Sequence, residues 1–115
     1  MSVKRIETGP RMSQAVIHNG VVHLAGVVAD DPVPSVAEQT KQILAKIDRL
    51  LATAGSDKSK LLKANIWLTD IRGFDEMNKV WDAWVSTGNT PARATVESRL
   101  AGPHYLVEIM VTAAV

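Results

Sequence analysis

Between Ser35 and Gly55 the sequence carries a helical stripe that commits the rest of the chain to a layered fold. Val36, Thr40, Ile43, Leu44, Ile47, Leu50, Leu51 and Ala54 recur at intervals of three and four, so one helix face must be buried along its whole length. Ser35 and Glu38 stand at capping-box spacing where the stripe begins. Gly55 ends it, because glycine accepts the left-handed conformation that closes a helix. A second, shorter stripe runs through Phe74, Met77, Trp81, Trp84 and Val85, with Asp70 placed to cap it and Gly88 and Pro91 to stop it. The other apolar runs have strand length: 3–7, 13–18, 21–28, 61–69, 94–100 and 105–113. Asn19-Gly20 between two of them is a strong hairpin signal, since both residues tolerate positive φ. The 21–28 run is apolar almost throughout, as a strand covered on both faces would be.

The predicted order is βββαβαββ in one domain of 115 residues. Strand–helix–strand crossovers place both helices on one face of a shared six-stranded mixed sheet, an α+β arrangement. Two helices leave the opposite face uncovered. A second copy of the same chain is the expected cover, so a homo-oligomer is predicted.

Composition removes whole classes of function. There is no cysteine, which excludes disulfides, thiolate nucleophiles and thiolate metal sites. The formal charge is +1 with acids and bases interspersed, and no run of Lys or Arg exists to track a phosphate backbone or an anionic membrane. No nucleic-acid or membrane partner is expected. The first ten residues hold no apolar signal core, and the apolar runs are too short to span a bilayer, so a cytoplasmic location is expected. His18, His23 and His104 have no ligand spacing, and the adjacent Asp30 and Asp31 point apart, so no metal site is expected.

Ser13-Gln14-Ala15-Val16, then Ala25-Gly26, Asn78, Pro91-Ala92-Arg93 and Val107-Glu108-Ile109 follow one another in an order and spacing that resembles the YjgF/RidA family across nearly the whole chain. The resemblance implies a chorismate-mutase-like fold and a homotrimer with a cleft at each subunit boundary. It implies hydrolysis of enamine and imine intermediates, such as 2-aminoacrylate, to 2-keto acids and ammonia. It implies no metal or organic cofactor.

The candidate site residues are read both ways. Arg93 presents a planar fork of donors that suits a carboxylate, although by sequence pattern alone it fits better as a surface arginine or an intersubunit ion pair. The resemblance implies that it holds the substrate carboxylate. Glu108 stands in an apolar strand, where a carboxylate must be paired or face a cavity, unless strand alternation turns it to solvent. The resemblance implies that it positions the attacking water, and adjacent strands would let it meet Arg93. Thr95 shares the Arg93 face; its backbone suits contact with an imine nitrogen, and its side chain suits packing. Gly26 allows either close approach of a ligand or a strand bulge. Asn78 caps a neighbouring loop or shapes the cleft. Met12, Ala25 and Val27 stand where the family usually has tyrosine, serine and glutamine. They leave a more apolar wall, suited to a bulkier substrate. Trp67, Trp81 and Trp84 are read as core and helix–sheet packing. The rival to the enzyme is a non-catalytic trimer that binds a small carboxylate or a partner protein on the same fold.

Overall fold

Asn19 and Gly20 take φ of 50° and 77°. They close the tight hairpin between β2 (Ser13–His18) and β3 (Val21–Leu24), as the Asn-Gly pair predicts. The computed structural model describes residues 2–115; Met1, the first residue of the N-terminal segment read for a leader, lies outside the described residues. β1 (Lys4–Thr8) flanks β2, and three further strands complete the sheet: β4 (Leu61–Leu68), β5 (Ala92–Glu97) and β6 (Val107–Ala114). The spatial order is β1-β2-β3-β6-β4-β5. β4 and β5 pair parallel and the other neighbours antiparallel, so the six-stranded sheet is mixed.

The first helix, α1 (Val36–Thr53), starts where Ser35 Oγ accepts a hydrogen bond from the Glu38 N–H at 3.1 Å. The second, α2 (Phe74–Trp84), starts differently from expectation. Asp70 caps a single 3₁₀ turn, Ile71–Gly73, by accepting from the Arg72 N–H at 2.9 Å, and α2 follows with no side-chain cap of its own. The two helix starts are tied together instead: Glu76 of α2 accepts from the Ala37 N–H of α1 at 2.8 Å. A carboxylate there satisfies a free amide and faces the positive end of the helix dipole.

Both helices cover one sheet face. Ile43, Leu44, Ile47, Leu50 and Leu51 of α1 meet Val22, Ile66, Leu68, Ile109 and Val111 in a continuous core. β6 shows the alternation plainly, with Val107, Ile109, Val111 and Ala113 buried and the residues between them half-buried. The face without helices carries Val16, Val21, Trp67 and Met110 beside His23, Lys63, Asn65 and Thr112. It is mixed in character, not a uniformly apolar sheet. Trp67 therefore lies outside the helix–sheet core, whereas Trp81 is buried in it. No helix among the described residues is long and apolar enough to cross a membrane.

One strand expectation is corrected, and the strand order adds a second finding. The 21–28 strand breaks after Leu24: Ala25 still donates to Gln14 O at 2.9 Å, and the chain rejoins the sheet only where Val27 exchanges hydrogen bonds with Ile109. The last two strands are not neighbours, because β4 inserts between β5 and β6. A parallel β4–β5 pair needs the α2 crossover, and it leaves β5 at the sheet edge.

Candidate functional site

Arg93 and Thr95 are two residues apart on β5 and share a face. They pair with Ala64 and Ile66 of β4, both buried under the helices, so they point to the helix side. There they meet α2. The Arg93 guanidinium carbon lies 5.2 Å from the centroid of the Trp81 ring and 5.8 Å from that of Phe74, over the face of each. Asn78 sits four residues after Phe74 and three before Trp81, hence on the same side of α2. Among the described residues, three buried side-chain polar atoms have no hydrogen-bond partner: Arg93 Nη1, Thr95 Oγ1 and Asn78 Oδ1. All three belong to this one junction of α2 and β5. No carboxylate among the described residues forms an ion pair with Arg93. A donor, an acceptor and a hydroxyl that do both are thus assembled without partners, where buried polar groups ordinarily find them.

Glu108 is elsewhere. It pairs with Trp67 on β4, and Trp67 lies three residues beyond Ala64, on the opposite face. Within one chain Arg93 and Glu108 thus occupy opposite sides of the sheet, on strands separated by β4. Adjacent strands would have let them meet, and within one chain their strands are not adjacent. Glu108 has its own close companion in Gly26. A Cβ at residue 26 would collide with Glu108 Oε2 and stand 3.0 Å from its carboxyl carbon. Gly26 thus makes room for the Glu108 carboxylate, where the chain leaves β3. Both readings of Gly26 meet here, since the irregular strand and the close approach are one feature.

The three wall positions separate. Met12 is 47% exposed just before β2, and Ala25 is half-buried beside Gly26. Val27 is 1% exposed and packs in the core, so its side chain is not part of an entrance wall. The reason is its bridge to Ile109, which turns both side chains under the helices. His18, His23 and His104 do not converge: His18 and His23 lie on the hairpin, and His104 precedes β6.

Sequence reading missed the role of Phe74 and Trp81 against Arg93, having assigned the α2 stripe to packing alone. The available signal was the aromatic pair flanking Asn78 at helical spacing. Cavity size does not mark the site. A groove of about 570 Å³ runs between α1 and α2 along Leu44, Asp48, Val80 and Trp84 and contains none of the candidate residues.

The family model described as Endoribonuclease L-PSP matches residues 3–115. The chain belongs to the YjgF/RidA family. The RutC family protein YoaB of Escherichia coli is 44% identical over 115 residues, covering 100% of both chains. A crystal structure of a YjgF family member from Neisseria meningitidis is 51% identical, with a TM-score of 0.97 over 99% of this chain and 95% of that one. A more distant YjgF/RidA relative, the 2-iminobutanoate/2-iminopropanoate deaminase of Rattus norvegicus, is 34% identical over 91 residues, covering 74% of this chain and 66% of the relative.

Proposed function

We propose that the chain hydrolyses 2-imino acids to 2-keto acids and ammonia, in clefts completed by a second copy of itself within a homotrimer. The observation that carries this is the set of unpartnered buried atoms around Arg93. A guanidinium fork with no internal carboxylate is built to take one from outside. The rat relative, whose name states an imino-acid deaminase, gives the substrate class.

In this reading Arg93 holds the carboxylate, and Asn78 and Thr95 line the same half of the cleft. Glu108 and Gly26 of a neighbouring copy supply the other half, since Arg93 and Glu108 of one chain lie on opposite sheet faces. Glu108 accepts a proton from water as its oxygen bonds to the imine carbon. With the imine protonated at the outset, this gives a carbinolamine; Glu108 passes its proton to the amine nitrogen, the C–N bond breaks with its electrons leaving on ammonia, and the hydroxyl proton goes to Glu108 as the carbonyl forms. Met12 and Ala25 border the Glu108 side and favour an apolar substrate side chain.

A coupled assay with imino acids generated in place from several amino acids tests the reaction. Glu108→Gln is expected to lower turnover by about 10²–10⁴-fold while keeping affinity for a 2-keto acid. Full turnover in Glu108→Gln would remove Glu108 from the mechanism. Undetectable turnover of the unmodified protein across the panel, with carboxylate binding kept, would favour a binding trimer.

A further inference from the structure

A half-buried arginine ordinarily needs a partner. Taking a guanidinium partly out of water is costly, and proteins offset that cost with a carboxylate or with carbonyl acceptors. Arg93 has no carboxylate among the described residues, and its Nη1 is buried without an acceptor. What it has is two ring faces, Trp81 at 5.2 Å and Phe74 at 5.8 Å. An aromatic face attracts a cation through its quadrupole and uses none of the cation's N–H groups. The two rings stand seven residues apart on α2, so they form one platform two turns long.

We propose that Phe74 and Trp81 form a π clamp that positions the Arg93 guanidinium in place of an internal ion pair, so that its N–H donors stay available to an incoming carboxylate. This rests on the reading of Arg93 as the carboxylate holder and names the device that makes it one. An internal acid would compete with the ligand for the same fork. The rings hold the charge without competing. Because a ring face uses no N–H, the fork remains for a ligand that presents two coplanar oxygens, as a carboxylate does. Phe74 and Trp81 are positioning residues, since they act through Arg93.

The two rings offer different experimental handles. Trp81 is 5% exposed and its loss would open the core, whereas Phe74 is 37% exposed and can be changed with the fold intact. The test measures Arg93 Nε–Hε by NMR in the full-length protein and 2-oxobutanoate binding by calorimetry. In the unmodified protein the Arg93 signal should be shifted upfield by the rings. Phe74→Leu should reduce that shift, weaken 2-oxobutanoate binding by about 3- to 10-fold and raise KM with kcat nearly unchanged. Phe74→Tyr should restore all three. Phe74→Glu, which gives Arg93 an internal acid, should abolish binding. Unchanged shift and affinity in Phe74→Leu would overturn the clamp. Turnover and binding without any upfield shift in the unmodified protein would overturn the clamp and leave the deaminase standing. A shifted signal with no 2-oxobutanoate binding would leave the ring contact as packing and overturn Arg93 as the carboxylate holder, and the clamp with it.

Discussion

Gln39 on α1 and the Arg93 junction on α2 both hide polar side chains from water, with opposite results. Gln39 is 0% exposed and fully engaged. Its Nε2 donates to Val33 O at 2.8 Å and to His104 O at 2.9 Å, and its Oε1 accepts from Leu106 N at 2.9 Å. One amide thereby ties the loop before α1 to the loop before β6, at sequence separations of 6 and 65–67. Across the same layer, Arg93, Thr95 and Asn78 each keep an atom without a partner. A satisfied buried group is architecture, and an unsatisfied cluster is capacity held for something else.

The largest expected effect breaks the second region alone. Arg93→Ala should lower kcat/KM for imine hydrolysis by about 10²–10⁴-fold, since two charge-assisted hydrogen bonds of roughly 1.5–3 kcal/mol each are lost. Stability should barely fall, because no internal partner is stranded. Arg93→Lys should rescue little, as a point charge cannot reproduce the fork. Urea unfolding beside the coupled assay separates the readings. A large stability loss with modest loss of rate would make Arg93 a structural residue.

Gln39→Ala is the mirror experiment. It strands two carbonyls and one amide in a buried place, and should cost about 2–4 kcal/mol of unfolding free energy in urea. Per folded molecule, imine turnover should be close to unchanged. A rate loss as large as that of Arg93→Ala, with stability kept, would erase the distinction between the two regions.

The two regions also differ in how far the sequence revealed them. The α1 stripe, its Ser35 cap and the Asn19-Gly20 hairpin were readable because local periodicity and turn chemistry determine them. Gln39 was not singled out: its partners lie in distant loops, and nothing local marks an amide in a helix as a tie. Arg93 and Glu108 were readable only through a spaced set of motifs. Their separation to opposite faces was not, because it depends on β4 inserting between β5 and β6, and strand order is a long-range property. Val27 failed for a related reason. The break at Ala25-Gly26 resets the strand alternation that an unbroken run would have kept, and Val27 turns into the core.

A smaller effect is expected at Gly26, which makes room for the Glu108 carboxylate. Gly26→Ala places a methyl group against the Glu108 carboxylate, and the side chain must swing away. Loss of a positioned base is only partial here, so turnover should fall by about 10-fold, less than the 10²–10⁴-fold that removing such a group outright costs. In a Glu108→Gln background the same change should cost far less turnover, since the group it displaces is already disabled. Equal losses in both backgrounds would mean that Gly26 acts on the strand and not through Glu108.

The smallest effect comes from a place where two nitrogens of an arginine fork meet both oxygens of one carboxylate within the chain. Arg72, its side chain 89% exposed, donates Nη2 to Asp70 Oδ2 at 2.7 Å and Nε to Asp70 Oδ1 at 3.0 Å. This is the pairing that Arg93 lacks, set in open water. The Arg72 side-chain hydrogen bonds, followed by its backbone N–H, lower the Asp70 carboxyl from 3.8 to about 2. The folded value lies below the unfolded one, so whatever stability the pair adds is complete above about pH 4. It fades as pH falls through the folded value near 2. Solvent access and salt screening keep that contribution small at neutral pH. Carbon NMR titration of Asp70 should show a midpoint near 2 that rises in Arg72→Ala. The rise should stop short of the ordinary value, because the N–H of residue 72 still donates to Oδ1. High salt should move the unmodified protein the same way by less. An Asp70 midpoint already at 3.8 would mean that a guanidinium fork in water barely holds a carboxylate. The grip expected of Arg93 would then have to come from its partly dry surroundings and the rings beneath it.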